Sequence, residues 1–193
     1  MNKQSKDRSN NINSGVISLY KYIMPSIHNR SVFNYLDGEK NYRIEMAKYQ
    51  NNIPVVDKKL IIKYVNEFLK ILGMEECKDP VVHPLDRPSR RFTYSKYNPQ
   101  SKEDIVWIKF NEDGRISVVG TSCDISFSDY AKDHTTAGII NKALNLKWDE
   151  SEVLIFPLIN IPENLYRSDI ESGIGNYLIA KGVPILDYYS HNY

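Results

Sequence analysis

The chain has 193 residues, of which 41% are hydrophobic and 25% charged, with a net charge of +1. That length can bury a self-supporting core, and the composition is neither that of a disordered protein nor that of a coiled coil. Two distant cysteines, Cys77 and Cys123, fit no disulfide framework and no metal spacing, and no stretch approaches 18 consecutive apolar residues, so no membrane span is expected.

Residues 1–13 (MNKQSKDRSNNIN) are polar and cannot bury enough surface to offset their ordering entropy. They are predicted to be a disordered tail, with residues 14–193 forming one α+β domain. The tail lacks the apolar stretch of a signal peptide, so the expected setting is soluble and cytoplasmic. Val16 to Met24 is apolar and β-compatible, and Pro25 ends it. From Ser26 to Pro54 the aromatics Phe33, Tyr35, Tyr42 and Tyr49 show no clear period; this stretch reads as irregular, with a short helix near Ile44 to Tyr49.

The clearest element is a helix from Lys58 to Leu72. Asp57 can cap it, Ile61, Val65, Phe68 and Leu72 recur at helical spacing, and Gly73 supplies the stop. From Met74 to Lys102 the four prolines Pro80, Pro84, Pro88 and Pro99 predict a loop. Asp104 to Phe110 and Arg115 to Val119 read as a hairpin around Asn111-Glu112-Asp113-Gly114, and Cys123 to Phe127 as a third strand. Thr135 or Thr136 can cap a helix running to Leu146. Glu152 to Ile159 reads as a strand. Ser168-Asp169-Ile170-Glu171 has the capping-box pattern opening a helix to Lys181, with Gly182 as its stop. Val183 to Tyr188 then reads as a strand. The expected fold is a mixed β-sheet packed with about three helices, ending in a C-terminal βαβ unit whose two strands run parallel.

Charge is uneven along the chain. Residues 1–102 hold 18 Lys and Arg against 10 Asp and Glu, whereas residues 103–193 hold 7 against 14. Within the first half, Arg87 to Tyr97 (RPSRRFTYSKY) combines four cations and three aromatics with no acid. Cations bind phosphates, and rings stack on bases or on guanidinium planes. The candidate binding residues are therefore Arg87, Arg90, Arg91, Phe92, Tyr94 and Lys96.

The second constellation is the C-terminal edge of the expected βαβ unit. Ligands favour that edge in open α/β sheets, and it would gather Asn160, Glu163, Asp169, Asp187, Ser190 and His191. Asp169, Asp187 and His191 have the chemistry to hold a divalent metal or to act as acid and base. Asp169 also suits a purely capping role. Gly173 and Gly175 fit close packing better than anion binding, because the Gly-x-Gly pattern is incomplete and acids flank it.

Other enzyme signatures are partial or missing. His134-Thr135-Thr136 resembles half of the paired His-x-Thr arrangement of two-histidine phosphoesterases, but no second copy follows. No Walker loop, Gly-x-Ser-x-Gly elbow or zinc cluster is present. The element order is similar to the core of restriction-type nucleases, yet neither strand of the hairpin carries their acid-x-Lys pair. The sequence therefore points first to a non-catalytic binding protein, an accessory protein of a mobile element or an immunity-type protein, contacting nucleic acid or an acidic protein surface without cofactor or metal. A metal-dependent phosphodiesterase or nuclease using Asp169, Asp187 and His191 is the alternative.

Overall fold

The computed structural model describes residues 36–83, 91–93, 104–122, 124–126 and 135–187. In chain order these form α1 (Leu36–Asn51), α2 (Lys58–Ile71), β1 (Val81–Val82), β2 (Arg91–Thr93), β3 (Ile105–Asn111), β4 (Ile116–Ser122), β5 (Asp124–Ser126), α3 (Thr136–Ala143), β6 (Trp148–Pro157) and α4 (Arg167–Ala180). The arrangement is mixed α+β, with four helices and a four-stranded antiparallel sheet among the described residues.

Local chemistry accounts for the helix ends. The Asp57 carboxylate accepts from the Lys59 amide at 2.8 Å and opens α2, and Gly73, with φ of 74°, takes the left-handed turn beyond its end. Thr135 caps α3 by accepting from the Gly138 amide at 3.1 Å. In the β3–β4 turn, Gly114 has a φ of 87° and its amide donates to the Asn111 carbonyl at 2.9 Å. The capping of α4 starts earlier than the expected Ser168: Asp169 accepts from the Tyr166 amide at 2.8 Å, so Tyr166 is the cap position.

The sheet order is β1-β6-β3-β4, with every pair antiparallel. Period-two alternation along β3 sends Val106, Ile108 and Phe110 to one face and Ile105, Trp107 and Lys109 to the other. The first face packs under α2 and α4, where Phe68, Ile61, Ile174 and Leu178 join Leu154 and Phe156 in the main core. Gly173 of α4 lies against the Phe68 ring, and a Cβ there would overlap it, so this glycine permits close helix packing. On the second face Ile105, Val153 and Ile155 cluster with Val82 and Trp107. A third cluster, Ala47, Ile140 and Leu186, ties α1 to α3 and to the chain after α4.

Several expectations need correction. The sheet is antiparallel rather than mixed, and the described part of the expected last strand, Val183 to Asp187, does not pair with β6. Both neighbours of β6 are already taken, by β1 and β3, so the segment docks two strands away: Ile185 makes an isolated parallel bridge to Ile116 of β4. The C-terminal βαβ unit therefore reduces to a crossover ending in one bridge. The stretch before Pro54 holds a helix of 16 residues rather than a short one, and the span from Met74 to Lys102 holds β1 and β2. The strand near Cys123 belongs to a separate ribbon: among the described residues β5 pairs with β2 and not with the four-stranded sheet. The predicted tail and the strand from Val16 to Met24 lie outside the described residues.

Candidate functional site

The basic segment is described at its centre. Arg91, Phe92 and Thr93 form β2, in antiparallel register with Ser126, Ile125 and Asp124 of β5. This two-stranded ribbon has its own hydrogen-bond ladder, apart from the four-stranded sheet. Arg87, Arg90, Tyr94 and Lys96 flank it in sequence and lie outside the described residues.

The residues of the proposed C-terminal edge divide between the two ends of the sheet. At the end where β6 finishes, Ile105 is in register with both Pro157 and Ser122. Here Arg167 pairs with Asp104 at 3.0 Å and sets the first turn of α4 over this end. A cleft of about 780 Å³ opens beside it, lined among others by Asp104, Thr121, Glu163, Tyr166, Arg167 and Glu171. Glu171 is only 3% exposed. Its burial raises the carboxyl to about 8 against the opposing pull of Arg167, so it holds its proton at neutral pH. Asp169 stands at the same end, occupied in capping. Asn160, at a φ of 59°, donates to Glu75 at 2.9 Å on the surface.

Asp187 is at the other end. Its amide donates to the Ser117 carbonyl at 2.9 Å, near the start of β4, whereas Thr121 lines the cleft four residues, or about 13 Å of strand, further on. Asp187 is buried beside Arg43 of α1. Burial raises its carboxyl to about 7, and Arg43 opposes that rise. Next to it lies a buried polar chain: Ser117 donates to Asn111 at 2.5 Å, and the Asn141 amide donates to Ser117 at 3.3 Å. Asp169 and Asp187 are thus not brought together; His191 lies outside the described residues. Among the described residues no three of His, Cys, Asp and Glu are grouped to hold a metal ion.

Three buried ionisable groups escaped the sequence reading: Arg43, Lys109 and Glu171. Lys109 projects to the second sheet face, its Nζ 4.9 Å from the Trp107 ring centroid and 5.8 Å from that of Trp148, and burial pulls its pKa down to about 8. A signal existed for Lys109, which interrupts the apolar run of β3. Glu171 was named only as part of a capping-box pattern, although it sits between the buried Ile170 and Ile174.

No family model, curated protein or solved structure matches the chain.

Proposed function

We propose that the chain is a non-catalytic binding protein that contacts an anionic partner, nucleic acid or an acidic protein surface, through the segment from Arg87 to Lys96. The observation that supports this reading is the β2–β5 ribbon. It gives the middle of the cationic, aromatic run an extended backbone on a ladder separate from the sheet. A two-stranded ribbon is narrow enough to enter the major groove of B-DNA. Its cations can neutralise phosphates, or acidic side chains, while Phe92 and Tyr94 supply rings for stacking. A cytoplasmic accessory or immunity-type role fits such a binder.

The metal-dependent phosphodiesterase reading needs Asp169, Asp187 and His191 to share one ion. The separation of Asp169 from Asp187 counts against it, since metal ligands sit about 2.0–2.6 Å from their ion.

The test is direct. Replacing Arg87, Arg90, Arg91 and Lys96 together with Ala should weaken binding to duplex DNA, single-stranded nucleic acid or an acidic protein captured with the wild type, and should flatten the dependence of affinity on salt. A partner bound with unchanged affinity and unchanged salt slope would remove the proposal.

A further inference from the structure

A second cleft, of about 460 Å³, opens between α3 and the start of β6, beside the β3–β4 turn. Its size suits a small organic ligand, and it takes no part in the proposed contact through Arg87 to Lys96. The polar chain of Asn111, Ser117 and Asn141 reaches its lining at Asn141, which is only 2% exposed. Asn141 Nδ2 donates to Ser117 at 3.3 Å, and Ser117 gives its one proton to Asn111 at 2.5 Å. Ser117 therefore has no proton left for Asn141, and turning the Asn141 amide over would not pair its oxygen. Oδ1 is left buried and has no hydrogen-bond partner among the described residues. Such an acceptor is costly until a donor reaches it, and the cleft is the side from which a ligand can bring one.

The rest of the lining narrows the chemistry of that donor. Leu146 and Trp148 are both half-buried and offer apolar surface to a flat ring. Lys142 and Lys147 are exposed, and neither forms an ion pair among the described residues. Two acids, Glu112 and Glu150, share the lining. A wholly apolar ligand would leave Oδ1 unpaired. A bare phosphate would use the lysines and neglect both Trp148 and Asn141.

We propose that this cleft binds one nucleotide whose base carries an exocyclic amine. The base stacks on Trp148, its amine donates to Asn141 Oδ1, and Lys142 and Lys147 hold the phosphate. The three parts of such a ligand match the three parts of the lining, and the acids set the limit on how much negative charge it accepts. The source is either a free mononucleotide or a single unpaired nucleotide of a strand.

The experiment is calorimetric titration of the full chain with adenosine monophosphate. A single site should be seen. Purine riboside monophosphate keeps the ring and the phosphate but lacks the amine, and it should bind about tenfold more weakly. Adenosine, without the phosphate, should bind about fivefold more weakly than the monophosphate. Lys142→Gln combined with Lys147→Gln, both on the surface, should lower affinity for the monophosphate to the adenosine level and remove its dependence on salt. Glu112→Gln removes a repelling charge and should tighten binding about twofold. Asn141→Leu should erase the difference between adenosine monophosphate and purine riboside monophosphate; if that variant does not fold, the two nucleotides on the wild-type chain test the same hydrogen bond. Tighter binding of a short oligodeoxyadenylate than of the monophosphate would identify a strand as the source, and weaker or equal binding would identify the free nucleotide; either supports the site. The proposal is overturned if adenosine monophosphate does not bind, if purine riboside monophosphate binds as tightly, or if the two lysine changes leave affinity unchanged.

Discussion

The Arg43 guanidinium lies 3.8 Å from the Asp187 carboxylate, and both side chains are buried. The contact joins α1 to the chain that follows α4, two pieces of sequence with no hydrogen-bond ladder between them. Burial and the guanidinium act on Asp187 in opposite directions, and burial wins, raising the carboxyl to about 7.

That balance sets a pH dependence. An unfolded Asp titrates near 3.9, so between roughly pH 4 and pH 7 the folded state holds a proton that the unfolded state has lost. Stability from this group is fully present below about pH 4 and falls as pH rises to about 7. Glu171 acts with the same sign up to about pH 8. Asp187→Asn should remove the first part of the decline, so that the variant gains on the wild type as pH rises from 4 to 7. Denaturant melts at three pH values check this; parallel curves for both proteins would show that Asp187 does not titrate in that window.

Lys109 predicts the opposite trend at higher pH. Its folded pKa is lowered to about 8, against about 10.4 when unfolded, so between these values the unfolded state binds more protons. Stability should rise from about pH 8 to pH 10. Lys109→Met, which keeps the aliphatic length between Trp107 and Trp148, should flatten that rise; a rise of equal size in the variant would assign it to another group.

Phe68 and Gly173 form a packing pair. Phe68 is 1% exposed, and truncation to Ala should cost about 3–5 kcal/mol. Gly173→Ala alone should also destabilise, because its methyl would overlap the Phe68 ring. Combined with Phe68→Leu, the same Gly173→Ala change should cost less than it does alone. Additive losses in this double-mutant cycle would show that the two sites do not compete for space.

Asn176 is 1% exposed, and neither atom of its side-chain amide has a hydrogen-bond partner. A buried unpaired amide costs roughly 1–3 kcal/mol. Asn176→Leu should therefore raise the melting temperature by several degrees, measured by thermal unfolding at neutral pH. A lower melting temperature would mean that the site demands the amide.

What the sequence revealed was set by where local chemistry dominates. α2 was legible because its apolar stripe, Asp57 cap and Gly73 stop all agree, and Ile61, Val65, Phe68 and Leu72 are all buried as expected. The β3–β4 hairpin and the Thr135 cap were legible for the same reason. α1 was not: among its described side chains the buried ones are Arg43 and Ala47, a cation and a small residue that make no hydrophobic stripe. The partner of Val183 to Asp187 was also hidden: segment type follows from composition, but sheet order depends on contacts between distant residues. At the candidate sites, Asp169 reads correctly as a cap, while the burial of Glu171 depends on how α4 meets β4.

The single bridge between Ile185 and Ile116 has a further consequence. β4 borders the sheet, and its Ile116, Val118 and Val119 side chains are buried. Leu186 and Asp187 donate to the carbonyls of Ile116 and Ser117 at 3.0 and 2.9 Å, which occupies part of a border that would otherwise be an open template for another chain. A few residues after α4 thus serve as a guard against aggregation, and their detachment would turn the first half of β4 into a seed for intermolecular strand addition without unfolding the core beneath it.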